Sequence, residues 1–198
     1  GLIIYSKKKD NLTEKDYSVL RLLEAAKSKN INLKIVSPNQ FELIVTRSDT
    51  KSILIDDKPT LLPDFIIPRM GSGTTYYAFS VIRQLEHLGV YICNNANSIY
   101  SVKDKLQMHQ IIAQSRLPTP KTMLAKFPID ISVVKREIGL PLVIKNVTGS
   151  YGTGIYLCES EEKFSDVMGL IYSNNSNANI ILQEFIQTSY GRDLRVFV

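Results

Sequence analysis

The apolar positions along the chain change period repeatedly, and each change predicts an element. LIIYS (2–6) is a short run of buried-strand character. After the polar KKKDN, residues 13–29 place Tyr17, Leu20, Leu22, Leu23 and Ala26 on one side at helical spacing. Thr13 suits the cap of that helix, and Glu14 and Asp16 fall in its first turn, where carboxylates complement the helix dipole. NLKIVS (32–37) returns to strand, so the chain opens with a parallel βαβ order. ELIVTR and SILID flank the polar residues 48–51 and read as a hairpin. DFIIPR (64–69) is a further buried strand, 75–88 a helix closed by Gly89, and VYICN (90–94) the strand after it. Residues 1–95 therefore predict a small α/β domain with helices on a mainly parallel sheet.

The second half alternates in the same way. Residues 98–115 read as one helix, with Lys103, Asp104 and Lys105 near its start and Leu106, Met108, Ile111 and Ile112 along it. RLPTPKT ends it, because proline lacks the backbone donor and restricts the residue before it. KTMLA (121–125) is a strand, DISVVKREIG (130–139) a helix stopped by Gly139, and PLVIKNV (141–147) a strand. A glycine-rich stretch follows, then IYLCES (155–160) as strand, SEEKFSDVMGLIYS (160–173) as helix, the polar loop SNNSNAN (173–179), and NIILQEFI (179–186) as a strongly apolar strand.

Composition narrows the class without naming a function. The 198 residues are 44% hydrophobic and 22% charged, ordinary for a water-soluble globular protein, and can form one large domain or two small ones. Twenty-four Lys plus Arg against 19 Asp plus Glu leave a net charge of +5, a mild bias compatible with anionic ligands, and KKK at 7–9 reads as exposed loop. The sequence pI of 9.1 and ten tyrosines raise a nucleic-acid-binding domain as one reading, yet no basic stripe with interleaved aromatics supports it. Cys93 and Cys158 each lie in an apolar run without a Cys or His partner, so both read as small buried hydrophobes. No apolar run approaches the ~18 residues of a membrane span, and a cytoplasmic protein is the expectation. His87 and His109 fall on helices beside apolar positions and read as surface or packing residues.

The chemistry concentrates in VIKNVTGSYGTGIYL (143–157). A Walker loop places its lysine after the glycines and opens a helix; here Lys145 precedes Gly149, Gly152 and Gly154, and strand follows. The dinucleotide fingerprint also opens a helix and has the reverse glycine spacing. What fits is a β-hairpin whose tip, 148–154, lies over a polyphosphate, with glycines admitting phosphate oxygens to the backbone amides and Lys145 adding charge. The opposite lysine order and the lack of H-R-D and D-F-G argue against a protein kinase. Taken alone, the three glycines serve a tight hairpin equally well. Two neighbours favour the ligand: Lys105 near a helix start, and LQEFI (182–186), an apolar strand ending in an acid. The backbone edge at 184–186 could receive an adenine against Phe185 and Ile186, with Glu184 or Asp193 on polar groups of the nucleoside.

That order of features resembles the ATP-grasp superfamily and, within it, the RimK-like glutamate ligases. The likeness is carried by IPRMG (67–71), the asparagine of CNN with SVKDK (101–105), LPTPKT (117–122), PLVIKNVTGSYGTGI (141–155) and LQEFI…GRDLR (182–195). It implies an α/β fold made of an amino-terminal Rossmann-like pre-ATP-grasp domain (1–95) and an α+β ATP-grasp nucleotide-binding domain. The latter divides into a central subdomain (96–183) and the start of an incomplete carboxyl-terminal lobe (184–198). It implies ATP contacts at Lys105, Lys145, Gly149, Ser150, Tyr151, Gly152, Thr153, Gly154, Gln183, Glu184, Phe185, Ile186 and Asp193. Arg195 would face the same cleft, and Arg69 with Gly71 the mouth of the amino-terminal domain, where a guanidinium suits a carboxylate; an interdomain ion pair is the alternative for Arg69.

The resemblance also implies a reaction: ATP and Mg2+ drive amide formation through an acyl phosphate. An amino acid such as glutamate would join a carboxylate acceptor, a protein carboxyl terminus or a small molecule. Such catalysis needs positioning and charge rather than a nucleophilic Ser or Cys. Members of the family are longer than 198 residues, and their metal ligands are expected beyond Val198, so the chain reads as a catalytically incomplete fragment with no metal ligand of its own. A homo-oligomer is compatible by family analogy, while direct nucleic-acid and membrane partners are not expected. The alternative function is a non-catalytic ATP-binding regulatory module.

Overall fold

β1 (Leu2–Ile4) opens the chain with three buried residues that point alternately to opposite faces of a sheet. In this computed structural model residues 1–47, 52–147, 154–194 and 196 are described. The chain forms two compact units, Gly1–Ser101 and Val102–Val198.

In the first unit β1 is followed by α1 (Tyr17–Ser28), β2 (Lys34–Val36), β3 (Phe41–Leu43), β4 (Ile53–Ile55), β5 (Lys58–Pro59), β6 (Phe65–Pro68), α2 (Tyr76–His87), β7 (Tyr91–Ile92) and α3 (Ala96–Lys103). The main sheet has the order β2-β1-β6-β7 with every pair parallel. Parallel strands need covered faces, and the alternation of β1 supplies both. Leu2 and Ile4 join Ile66, Val36 and the α2 residues Val81, Ile82 and Leu85 on one side, while Ile3, Ile35 and Val19 of α1 pack on the other. The hairpin expected around 48–51 forms with Leu43 opposite Ile53, and its turn lies outside the described residues. The short β5 extends it to three antiparallel strands, which the pattern did not foretell.

Several readings of this half need correcting. The helix expected from residue 13 begins as a 3-10 turn, Glu14–Asp16, and α1 itself starts at Tyr17. Its buried positions are Val19 and Ala26, whereas Tyr17 is 67% exposed. Asp16 is not a solvated first-turn acid: its buried carboxylate accepts from Tyr5 Oη at 2.6 Å, Lys7 Nζ at 2.8 Å and Thr13 N at 2.8 Å, so Lys7 is tied down. Those contacts, Lys7 first, hold the Asp16 carboxyl far below the usual range. Cys93 is exposed rather than buried, because β7 is the edge strand and ends at Ile92.

The second unit contains α4 (Lys105–Gln114), β8 (Thr122–Ala125), α5 (Ile131–Glu137), β9 (Leu142–Asn146), β10 (Ile155–Cys158), α6 (Glu161–Asn174) and β11 (Ile180–Glu184). Its sheet has the order β10-β9-β11-β8 and is antiparallel throughout. Leu142, Ile144, Ile180, Leu182 and Cys158 face α5 and α6 and pack on Val134, Phe164 and Met168. Each fully buried aliphatic side chain there contributes about 1.5–3 kcal/mol. The single helix expected over 98–115 is two: Asp104 leaves helical geometry at ψ 110° and its carboxylate accepts from Leu106 N and Gln107 N at 2.9 and 3.1 Å. An aspartate that satisfies two orphan amides restarts a helix even where apolar spacing runs on. Among the described residues no helix is long and apolar enough to cross a membrane.

Candidate functional site

The pleat of the second sheet sorts its side chains by parity. In register, Lys145 stands opposite both Ile155 and Ile181, and Val143 opposite Gln183, so these residues share the face turned away from α5 and α6. Thr122, paired with Gln183, lies on that face as well. Asn146, one residue on, belongs to the helix side, where its amide would lie 2.7 Å from a Cβ added at Gly154.

On this face Lys145 Nζ donates to Gln183 Oε1 at 2.6 Å. Lys105, first residue of α4 after the Asp104 cap, reaches the carbonyl of Val147 at 3.5 Å, at the base of the glycine loop. Burial first, and then the nearby Lys105 charge, hold the Lys145 ammonium below its ordinary pKa. No carboxylate among the described residues pairs with Lys145 within ion-pair distance. A half-buried ammonium beside a second cation favours an anion, since a negative ligand relieves both terms. This is the observation that makes the face a candidate site.

His109 completes the cluster, and the pattern of residues did not mark it as functional. Its Nε2 lies 2.9 Å from Gln183 Nε2 and its Nδ1 2.8 Å from Thr119 Oγ1. Gln183 Nε2 also donates to Thr122 Oγ1 at 2.8 Å, and Thr122 donates to the carbonyl of Pro120 at 2.8 Å. Burial, and after it the Lys145 charge, push the His109 pKa below its ordinary value. One signal was available: His109 follows Lys105 by four residues, so one helix face presents both to the sheet.

The other expected residues are placed less closely together. Glu184 ends β11 one residue past Gln183, hence on the opposite face by alternation, and its amide donates to the carbonyl of Lys121 at 3.0 Å. A free backbone edge at that strand therefore begins only after Glu184. Phe185 meets Tyr190 edge-to-face at 5.7 Å, and Ile186 is 42% exposed. Asp193 is exposed, and among the described residues no hydrogen bond or ion pair joins it to Lys105 or Lys145. Gly154 closes the loop with φ +74°, a conformation that favours glycine. Gly149, Ser150, Tyr151, Gly152, Thr153 and Arg195 lie outside the described residues. Arg69, in the first unit, is exposed, and its amide donates to the carbonyl of Ile4 at 2.8 Å.

A cavity of about 510 Å3 opens on the helix side of the second sheet, lined by Asn146, Tyr156, Ile171 and asparagines of the turn after α6. It shares the base of the hairpin but is lined by neither Lys105 nor Lys145. Among the described residues no group of three or more His, Cys, Asp or Glu side chains could hold a metal ion. The residues described do not make a magnesium site.

A parallel α/β unit followed along the chain by an antiparallel sheet with helices on it is the architecture of the ATP-grasp class. Comparison with known proteins agrees: residues 8–99 match the RimK PreATP-grasp domain and residues 102–198 the RimK-like ATP-grasp domain. The chain belongs to the RimK-like ATP-grasp family. A "Probable alpha-L-glutamate ligase 1" of Shewanella amazonensis is 34% identical over 187 residues, 92% of this chain and 60% of that protein. A "Probable alpha-L-glutamate ligase" of Legionella pneumophila is 33% identical over 183 residues with the same two shares, 92% and 60%. The chain thus spans about 60% of the length of these curated relatives. The crystal structure of a RimK domain ATP-grasp protein from Sphaerobacter thermophilus has a TM-score of 0.65 at 18% identity, covering 94% of this chain and 64% of that one. At that identity the likeness concerns the fold.

Proposed function

We propose that the chain is the nucleotide-holding part of an ATP-dependent carboxylate–amine ligase that adds glutamate or a similar amino acid to a carboxylate acceptor. The observation that carries this reading is the half-buried Lys145 ammonium, set beside Lys105 at the base of a glycine loop with no carboxylate pairing it among the described residues. Lys105 and Lys145 suit the ATP phosphates, and the glycine-rich composition of 149–154 suits close approach of phosphate oxygens to backbone amides. Residues 184–186 and Asp193 take the nucleoside, while Arg69 and Arg195 take carboxylates of acceptor or amino acid. The names of the relatives, probable alpha-L-glutamate ligases, support the choice of amino acid.

In the reaction, an acceptor carboxylate oxygen bonds to the γ-phosphorus as the bond to ADP breaks, giving an acyl phosphate. The amine nitrogen then bonds to the acyl carbon, phosphate leaves, and the amine gives up a proton. Both steps concentrate negative charge on phosphoryl oxygens, so fixed cations and positioning supply the catalysis. The reading is tested by calorimetric titration of the chain with ATP, GTP and inorganic phosphate, with magnesium present. ATP is expected to bind most tightly, and lack of any preference for ATP over phosphate would sink the nucleotide assignment. Glutamate-dependent ADP release by a protein of the relatives' full length separates a ligase from a non-catalytic binder.

A further inference from the structure

The hydrogen bonds around Gln183 admit one arrangement of protons. An ammonium only donates, so the amide oxygen of Gln183 must face Lys145, at 2.6 Å. Its amide nitrogen then spends its two hydrogens on Thr122 Oγ1 and His109 Nε2, at 2.8 and 2.9 Å. His109 Nε2 is therefore an acceptor, and the ring proton sits on Nδ1, where it donates to Thr119 Oγ1 at 2.8 Å. The two threonines come from LPTPKT, Thr119 in the turn after α4 and Thr122 at the start of β8, so a segment distant from the loop in sequence is wired to the lysine before it.

We propose that His109 is a positioning residue for Lys145: as the neutral Nδ1–H tautomer it orients the Gln183 amide that grips the ammonium, and its protonation breaks that grip. A proton added at Nε2 confronts the amide hydrogens of Gln183 with another donor. Turning the amide over satisfies His109 but points its hydrogens at Lys145, another donor. Without the turn the amide loses its anchor on His109, and with the turn it loses its bond to Lys145, so in both arrangements the cation is held less firmly. The charged group facing His109 from the sheet is Lys145, and Lys105 lies one turn earlier on the same helix; Thr119, Thr122 and Gln183 around the ring are neutral. Burial first, and then the Lys145 charge, oppose protonation and hold the imidazole below its ordinary pKa. The switch therefore operates on the acid side of the ordinary histidine range: the grip is complete above it and fails as pH falls.

The inference rests on Lys145 serving the nucleotide, so one arm of the test does not involve nucleotide. Long-range proton–nitrogen NMR of the uniformly nitrogen-15-labelled chain reports the tautomer of each histidine, and His87→Gln assigns the two rings. His109 is expected as Nδ1–H; the Nε2–H form overturns the proposal. The second arm is the Kd for magnesium adenylyl-imidodiphosphate across the acid range in wild type, His109→Gln and His109→Leu. Wild type is expected to lose about tenfold in affinity as His109 protonates, the order expected for a charged hydrogen bond. His109→Gln, which cannot titrate, is expected to lack that part of the profile, while the titration of the nucleotide itself cancels in the comparison. His109→Leu, without an acceptor, is expected to bind about tenfold more weakly at neutral pH. If that variant does not fold, the wild-type and His109→Gln profiles decide. Parallel profiles in those two overturn this inference alone. No binding by wild type at any pH, with the expected tautomer present, overturns the nucleotide reading and this inference with it.

Discussion

Removing the ammonium of Lys145 separates a ligand-binding lysine from a structural one. In Lys145→Ala the nucleotide loses a charge-assisted contact, about 1.5–3 kcal/mol, which corresponds to a Kd about 10- to 150-fold weaker. The fold without ligand responds differently. The variant loses the 2.6 Å bond to Gln183, but it also loses the burial of a charge and the repulsion from Lys105, and these changes oppose each other. The melting temperature without nucleotide should therefore move little, while the stabilisation added by nucleotide should shrink by the full binding loss. Titration calorimetry with magnesium adenylyl-imidodiphosphate at neutral pH measures the first quantity and scanning calorimetry the second. Lys163→Ala is the control, because Lys163 pairs with Glu159 at 3.6 Å and is half exposed. Unchanged affinity in Lys145→Ala, or a loss matched by an equal loss of ligand-free stability, would refute the assignment of this lysine to the phosphates.

Three further outcomes are expected. Leu182→Ala empties a fully buried position and should destabilise the second unit by about 2–5 kcal/mol in urea unfolding, whereas Leu194→Ala, at a position 95% exposed, should leave it unchanged. Gly154→Ala forces a φ of +74° on a residue with Cβ and brings that atom to 2.7 Å from the Asn146 amide, so a loss of about 1–2 kcal/mol and weaker nucleotide binding should appear together. A thiol reagent should modify exposed Cys93 rapidly and buried Cys158, whose thiol pKa is raised by burial, only in denaturant; two fast thiols in the native protein would contradict the packing of β10.

Much of the architecture was legible where one period runs through an element. The apolar run of β11 and the paired β9 and β10 follow from short alternating or continuous hydrophobic stretches bounded by turn residues. The break at Asp104 was not legible, because the apolar spacing continues on both sides and only the cap geometry marks the interruption. Tyr17 and Val19 differ by two residues, enough to rotate a helical face, and only packing on β1 chose between them. Cys93 reads as core from its apolar neighbours, yet an edge strand two residues long leaves it in solvent.

For the candidate site, residue order marked Lys105, Lys145 and the glycine stretch as candidates, since a lysine ahead of glycines between two strands differs from the phosphate loops that open a helix. What order along the chain could not decide is which side chains meet. Gln183 lies 38 residues from Lys145 and 74 from His109, and its amide joins them only because antiparallel pairing brings β9 and β11 into register while α4 lays His109 across the same face. Local spacing dictates elements through backbone geometry; the protonation state of an imidazole and the aim of a distant ammonium depend on donors and acceptors that folding alone brings within hydrogen-bonding reach.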